Sequence, residues 1–486
     1  MSRRALVKRA PAAALALALV ACGGRAEPGT AGPYHEGPVV LITVGGLRAD
    51  ATGFLGGEPA TLTPHLDALA AEADWAGAAV APSSVGLVSL ASYLTGLGAW
   101  AHGVGLGPEP LRLPPELRTL AEALGERGYR GAAYVPGWME ATPGWGQGFG
   151  LIRDLAGGGR AAGHLASLDG GRDLVWIHLA DAEAPFARQD GFLARLPAMP
   201  AEAAAALPRR RTPADLERLR DPAASPAERD AALAVYRLAV AGTDQRLGEL
   251  IAALRSGGRA GEAIVVVAAT HGQELFDDAG WGLARPRVEV PLVVDLPPRL
   301  AARWRPRLPP AGSRPAAARL WATLAEAVGA AVPPAPAPPL TAGPAGALSE
   351  LHLGDGVNEA SWVEGDLQLL RRVRFAPPEE DFRLVRLARM GAAPPAVADP
   401  RALVAAAEER CAATPAWGGR GEPETRLVAW RPDGAVAAAD GPAAAARRRA
   451  FEAAMARARN AFTPCDQTPA AAAAARAAER RAAGEQ

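Results

Sequence analysis

The stretch Val39-Val40-Leu41-Ile42-Thr43-Val44-Gly45-Gly46-Leu47-Arg48-Ala49-Asp50 decides the expected fold of this 486-residue chain. Its first six residues form an apolar run, typical of a strand buried on both faces of a parallel sheet. A helix start follows at Thr63-Pro64, because Thr caps helices readily and Pro suits the first turn. Strands keep alternating with helices, which predicts a three-layer α/β fold. Further strands are predicted at 132–135, 173–179, 263–269 and 290–296, and helices at 117–127 and 228–255.

The composition indicates a globular protein with no general attraction to nucleic acid. Hydrophobic residues make up 49% of the chain, more than a disordered segment carries. Acidic and basic residues balance at 52 each, so no whole-chain field favours nucleic acid, and no nucleic-acid partner is expected. The only lysine is Lys8, which leaves arginine as the strong base everywhere else.

The N-terminus has the pattern of a leader for export. Basic residues between 3 and 9 precede an apolar segment at 12–20 that is too short to span a bilayer. The segment ends in Leu19-Val20-Ala21-Cys22-Gly23, which resembles a bacterial lipobox. We expect residues 1–22 to be a lipoprotein signal peptide, Cys22 to carry the lipid, and 23–37 to be a tether to the membrane, with Gly23 favouring the outer membrane. An ordinary secretory signal with a chance cysteine is the alternative.

Composition also divides the rest of the chain. We expect an α/β core at 38–300, a helix and Pro/Ala-rich linker at 301–345, a small C-terminal α+β subdomain at 346–466, and an Ala/Arg-rich tail at 467–486. Residues 188–227 read as an insertion over the surface, and strand-like runs such as 367–373 favour a small antiparallel sheet. Cys411 and Cys465 are expected to form a disulfide in an oxidising compartment, with two buried free thiols as the alternative.

A series of segments resembles the bacterial sulfatases in order. Residues 39–50 resemble the family's VVLITVDTLRAD strand, and residues 63–72 its TPNLDRLAAE helix. Residues 89–96 resemble PSxASLLTG, 178–181 resemble HLMD, and 265–272 resemble the strand that ends in SDHG. An ordered series is more specific than any single motif. The resemblance implies an alkaline phosphatase-like α/β/α sandwich around a central, mostly parallel sheet.

The residues that carry sulfatase chemistry are missing from this series. The resemblance implies one divalent cation held by acidic residues and a formylglycine nucleophile made from Cys or Ser. Hard cations need several oxygen ligands, and glycine offers no side chain at all. We therefore expect no metal, and both the family calcium and the formylglycine to be absent. The family positions are occupied here by Gly45 and Gly46 (metal pair), Gly86 (nucleophile), Leu90 (arginine), Glu183 (histidine) and Thr270 (aspartate), while Ser89 and His271 are retained.

Other residues leave room for a different site. Ser83 and Ser84 are either displaced nucleophiles or helix caps. His178 and His271 lie at strand ends, so they are either ligand-binding residues, as is common at that edge of α/β sheets, or hydrogen-bonded core residues. Asp181, Glu183, Glu274, Asp277 and Asp278 could rebuild a metal site or be solvated loop acids. Three tryptophans are cleft candidates or ordinary packing residues: Trp138, Trp145 and Trp281.

The leading interpretation is a membrane-anchored, sulfatase-like lipoprotein without sulfatase activity, which binds an unknown ligand or protein partner or serves as an envelope component. The alternative is a sulfuric or phosphoric ester hydrolase whose site has moved to Ser84, His178, Glu183 and His271.

Overall fold

The computed structural model describes residues 34–105, 112–156, 159–197, 200–276, 282–331, 338–342, 346–353, 357–365, 367–374 and 424–429, with six isolated positions between 399 and 449. Several predictions lie outside the described residues: the signal peptide, most of the tether, the tail, and Cys22, Asp277, Asp278, Trp281, Cys411 and Cys465. In the described part of the chain, no helix combines the length and the apolar character that crossing a membrane requires.

The secondary structure alternates as predicted through the first two thirds of the chain. The strands are β1 Val39–Val44, β2 Trp75–Val80, β3 Arg130–Val135, β4 Leu151–Asp154, β5 Asp173–Leu179, β6 Phe186–Ala187, β7 Arg210–Arg211, β8 Ile264–Ala269, β9 Glu289–Asp295, β10 Ala347–Leu353, β11 Val357–Glu364, β12 Leu367–Arg374 and β13 Glu424–Ala429. The helices are α1 Pro64–Glu72, α2 Gly86–Thr95, α3 Ala99–His102, α4 Leu120–Gly125, α5 Gly137–Glu140, α6 Arg160–Ala166, α7 Ala201–Ala206, α8 Pro213–Leu219, α9 Pro226–Ser256, α10 Arg285–Val288, α11 Pro298–Trp304 and α12 Leu320–Val328.

The central sheet has seven strands among the described residues, in the order β2-β9-β8-β1-β5-β3-β4. β1 lies at its centre and pairs in parallel with β5 and β8. β9 alone runs against the others, since it pairs antiparallel with both β8 and β2. Every residue of β1 is buried, which requires cover on both faces. The prediction of an α/β fold around a mostly parallel sheet is confirmed.

Helices form two packed sets that supply this cover. Helices α1, α6 and α8 contact the long helix α9, whereas α3, α4 and α12 contact α2. Tyr93 of α2 donates its hydroxyl hydrogen to the carbonyl of Ala269 at the end of β8, 2.7 Å away. Tyr236 of α9 donates to the carbonyl of Gly46 just after β1, 2.9 Å away. Both sets therefore reach the carboxyl end of the sheet.

Four parts of the structure differ from the sequence predictions. The helix expected at 117–127 is shorter, because Thr119 and Glu122 form a capping box that starts it at Leu120. β2 and β4 were not predicted, since β2 consists mainly of Ala and Gly between Trp75 and Val80 and β4 is only four residues long. The segment 188–227 was expected to lie over the surface, but Leu216 and Leu219 of α8 are buried against the core.

The small antiparallel sheet expected near the C-terminus is present as β10-β11-β12-β13. Its first strand lies against the core, where Ser349 donates to the carbonyl of Ala81 at 2.6 Å and the Glu350 amide donates to the carbonyl of Pro82 at 2.8 Å. Glu359, fully buried, accepts hydrogen bonds from the Leu283 amide and from Arg372. The predicted limits of the subdomain, at 346 and 466, stay predictions.

Candidate functional site

The carboxyl ends of three neighbouring strands meet at one edge of the sheet. β1 leads into Gly45, β5 ends just after His178, and β8 leads into Thr270. The Gly45 amide donates to the carbonyl of Leu179 at 2.7 Å, and the Thr270 amide donates to the carbonyl of Val44 at 2.8 Å. This edge is where open α/β sheets place their ligands, and the structure brings most of the residues singled out from the sequence to it.

The carboxylate of Glu183 fills the space next to the two glycines that matter most. A methyl group on Gly45 would lie 2.5 Å from Glu183 Oε2. A methyl group on Gly86 would lie 3.1 Å from Glu183 Oε1 and equally close to His271 Cε1. One carboxylate therefore lies beside both Gly45 and Gly86, the positions that the sequence resemblance assigns to the first metal ligand and to the nucleophile.

Gly46 is enclosed by backbone instead of by a side chain. Its φ is +71°, in the left-handed region that favours glycine. A methyl group there would overlap the carbonyl oxygen of Ala182 and lie 2.8 Å from Glu183 Cα. The segment that carries Glu183 is thus packed directly onto Gly46, the position that the sequence resemblance assigns to the second member of the acidic pair.

His271 lies beside Glu183 with one ring nitrogen already engaged. Its Nδ1 is 3.0 Å from Thr270 Oγ1, and its Nε2 is 3.8 Å from Glu183 Oε1. Burial lowers the pKa of His271, and the Glu183 carboxylate opposes that shift. The Thr270 hydroxyl also donates to the carbonyl of Val44, 3.4 Å away, so we assign the ring hydrogen to Nδ1, from which Thr270 Oγ1 accepts.

His178 is a core residue more than a site residue. It is 1% exposed, and its Nδ1 lies 3.0 Å from the hydroxyl of Thr43, which also accepts a hydrogen bond from the Trp176 indole at 2.9 Å. Burial lowers the pKa of His178 to about 4, so the ring is neutral near neutral pH.

The serines before and within α2 divide into structural and accessible ones. Ser89 donates to the carbonyl of Ser83 at 2.9 Å and accepts from the Ser83 amide at 3.1 Å, so it braces the start of the helix. Leu90 is fully buried in the core. Ser84, in contrast, lines the cleft together with Glu183 and His271.

The cleft itself has a volume of about 240 Å³. Pro213 and Leu216 of α8 line it with apolar surface. Gln273, also in the lining, accepts a hydrogen bond from the Ala184 amide at 2.9 Å. The remaining lining residues are Ser84, Glu183, Ala184, Glu217, His271, Glu274 and Arg287.

Two arginines near the cleft were not found from the sequence. Arg220 and Arg287 both form ion pairs with Glu274. Neither belongs to a family segment, and Arg220 lies in the stretch taken for a surface insertion, so no sequence signal pointed to them. The only lysine of the chain is Lys8, so arginine supplies the positive charge at this edge.

The other candidates do not join this cluster. Asp181 pairs with Arg246 at 3.2 Å, and Trp145 is fully buried, while Trp138 is 51% exposed. In the described part of the chain, no three His, Cys, Asp or Glu side chains come together as a metal site. Among the described residues, the side chains next to Gly45 and Gly86 are one carboxylate, Glu183, and one imidazole, His271, whereas calcium prefers six to eight oxygen ligands.

Comparison with known proteins places the fold. No protein-family model matches the chain, and no curated protein sequence matches it. A 2-O GAG sulfatase is similar in structure with a TM-score of 0.51 and 15% identity, covering 78% of this chain and 91% of its own. A phosphonate monoester hydrolase of Agrobacterium radiobacter has a TM-score of 0.51 at 16% identity, with 78% and 95% covered.

A third similar structure, solved in complex with its substrate D-glucosamine-2-N,6-O-disulfate, has a TM-score of 0.52 at 14% identity, with 77% and 96% covered. Together these likenesses span both the α/β sheet and most of the chain. The chain has the alkaline phosphatase-like fold that sulfatases and phosphonate monoester hydrolases share.

Proposed function

We propose that this protein is a sulfatase-like lipoprotein that binds a ligand or partner at the edge of its sheet and does not hydrolyse sulfate esters. One observation carries the proposal: the Glu183 carboxylate stands where side chains at Gly45 and Gly86 would begin. Ester cleavage needs a nucleophile and positive charge around the transferring group. Here the nucleophile position has no side chain, and a carboxylate adjoins the place of the anion.

The charges around the cleft support the same conclusion. Arg287 lines the cleft but is paired with Glu274, which also pairs with Arg220. Glu217 also pairs with Arg220, at 2.8 Å, so two arginines face three carboxylates here and Glu183 leaves the lining net negative. A sulfate ester would meet like charge in a partly desolvated cleft, which opposes both binding and the transition state.

Sulfate release from aryl sulfates tests the proposal. The protein, purified from a host without other sulfatases, should show no turnover above background, with and without millimolar calcium. Gly86→Cys alone should not restore turnover, since the metal ligands remain missing. Neither calcium nor a chelator should change the melting temperature. Two results would contradict the proposal: stabilisation by calcium that Glu183→Ala abolishes, or sulfate release in proportion to the amount of protein.

A relocated hydrolase site is the second candidate, because Ser84, Glu183 and His271 share one cleft. His178 is less suited to it, since it is buried and bonded to Thr43. Hydrolysis of aryl phosphates or sulfates that Ser84→Ala abolishes, while Ser89→Ala leaves it unchanged in a folded protein, would favour this candidate.

Membrane attachment through a lipid on Cys22 is the remaining part of the proposal. The lipobox-like segment before Cys22 supports it. Several acyl chains on one residue anchor a protein stably, whereas a single chain does not. The protein should fractionate with outer membranes, and Cys22→Ser should accumulate as precursor or move to another fraction; unchanged processing would point to an ordinary signal peptide.

A further inference from the structure

Three consecutive arginines, the arginine run at residues 209–211, lie at the rim of the cleft. The last two of them form β7, which pairs antiparallel with β6. Two residues after the run, Pro213 lines the cleft, and so does Ala184, two residues before β6 begins. A partner that contacts the arginine run would therefore also border the cleft.

None of the three arginines forms an ion pair within the described part of the chain. Asp215, which follows shortly after the run, instead accepts hydrogen bonds from the amide and the hydroxyl of Thr212, at 2.9 and 2.8 Å. Asp190 and Glu217 pair with other arginines. Three positive charges thus stand together without an ion pair, although acidic and basic residues balance over the whole chain.

Arg211 carries a more specific signal than its two neighbours. Arg209 and Arg210 are exposed, whereas Arg211 is half-buried, and its Nε–H is buried with no acceptor among the described residues. A buried donor without an acceptor costs free energy, so nearly all such groups are paired in folded proteins. The Nε–H of Arg211 therefore calls for an acceptor that the described part of the chain does not supply.

The same edge of a guanidinium group holds carboxylates elsewhere in this protein. Arg130 donates from Nε and Nη2 to the two carboxylate oxygens of Asp173, both at 2.9 Å. Arg48 donates from the same two nitrogens to the two oxygens of Asp50, at 2.8 and 2.6 Å. Such pairs join a planar guanidinium to a planar carboxylate through two hydrogen bonds. When its flexible side chain turns outward, Arg211 can offer this edge to a carboxylate of a partner.

The spacing of the run matches an extended peptide. Arg210 lies in β7, so the Cα atoms of Arg209 and Arg211 are about 6.6 Å apart, two strand residues at about 3.3 Å each. Alternate residues of an extended partner segment repeat at the same distance. A segment with acidic residues at every second position therefore presents one carboxylate to each of these two arginines.

We infer that the arginine run is a docking surface for an extended acidic segment of a partner protein, with Arg211 holding one carboxylate through Nε and Nη2 while Arg209 and Arg210 add positive charge. The inference rests on the proposed function, since it names the kind of partner that borders the same edge of the sheet. Glu183 leaves the adjoining cleft lining net negative, so the acidic segment stays on the rim and does not enter the cleft.

Fluorescence anisotropy with a fluorescein-labelled decaglutamate peptide tests this inference, with decaglutamine as the matched uncharged probe. The purified protein should bind decaglutamate saturably and decaglutamine not at all. Arg211→Lys keeps the charge but loses the two-pronged edge, so it should weaken binding at least about fivefold. Arg210→Lys, the matched control in the same strand, should change binding by less than about twofold. An unchanged urea midpoint shows that each variant is folded.

A pair of triple variants separates the surface from net charge. Replacing all three arginines of the run by Gln should weaken decaglutamate binding at least about tenfold. The control removes the same charge at three dispersed, exposed arginines and should change binding by less than about twofold; these are Arg153, Arg160 and Arg299.

Three results would overturn the inference: no saturable binding of decaglutamate, equal weakening by the two triple variants, or full affinity in Arg211→Lys. Dimethyl phosphate that displaces the peptide at lower concentration than acetate does, at equal ionic strength, would also overturn it and assign the run to a phosphate-bearing surface such as lipid headgroups. The proposed absence of sulfate hydrolysis would stand in each case. Sulfate release by the unmodified protein would overturn the proposed function whether or not the peptide binds.

Discussion

Gly45→Ala should destabilise the protein through Glu183, and removing Glu183 should cancel the effect. The new methyl group would lie 2.5 Å from Glu183 Oε2, so the carboxylate must move by about 1 Å to reach an ordinary contact. Overpacking typically costs about 1–3 kcal/mol. We expect about 1 kcal/mol, because the obstacle is the end of a flexible side chain that is 33% exposed.

In the Glu183→Ala background the same substitution should stabilise. Gly45 does not have a positive φ, so alanine is tolerated there, and replacing glycine then gains about 0.4–1 kcal/mol by restricting the unfolded chain. The two backgrounds should therefore differ by about 1.5–2 kcal/mol, a coupling energy that urea denaturation of the four proteins can measure.

Gly46→Ala is the matched control. It should cost about 1–2 kcal/mol for the left-handed backbone, plus an overlap with the Ala182 carbonyl. Glu183→Ala should not rescue it, since the obstacle is backbone. If the changes in unfolding free energy caused by Gly45→Ala and Glu183→Ala add up within about 0.3–0.5 kcal/mol in the double mutant, the carboxylate does not occupy this space.

Three further predictions concern the groups around the site. The pKa of His178 falls from 6.5 to about 4 on folding, so the free energy of unfolding should drop by about 3 kcal/mol as the pH falls from 6.5 to 4. Below pH 4 this residue should cause no further drop. The same pH series on His178→Asn should not show this loss of stability. Ser89→Ala should lower the free energy of unfolding by about 1–3 kcal/mol in urea denaturation, because the buried Ser83 amide loses its acceptor. Glu359→Ala should cost about 3 kcal/mol by removing the buried partner of Arg372, which an unchanged urea midpoint would refute.

The sheet was readable from the sequence where strands are buried on both faces. β1, β5 and β8 are continuous runs of apolar residues, and their central places in the sheet explain why. β2 and β4 lie at its two edges, where a strand needs less apolar surface, and neither carries such a run. The capping pair Thr119 and Glu122 was present in the sequence, and it would have corrected the start of α4.

The candidate site was readable only in part. Glycine at 45 and 86 predicted which side chains would be missing, because no structure is needed to know that glycine has none. What occupies the vacated space depends on the path of the loop after β5, and no periodicity reports that path. The pairing of Arg220 with Glu274 likewise joins two residues 54 positions apart, which a single sequence does not relate.

The enclosure of Gly46 sets the order in which a metallohydrolase could be engineered from this scaffold. Shortening Glu183 makes room at Gly45, and at Gly86 the His271 ring then remains 3.1 Å away, so only side chains stand in the way at both positions. No side-chain substitution makes room for an acidic residue at Gly46, because the main chain at Ala182 and Glu183 lies against it. The loop after β5 must be rebuilt first and the acidic pair installed afterwards, so random point mutation is a poor search strategy for this conversion, and grafting the whole loop is the rational starting point.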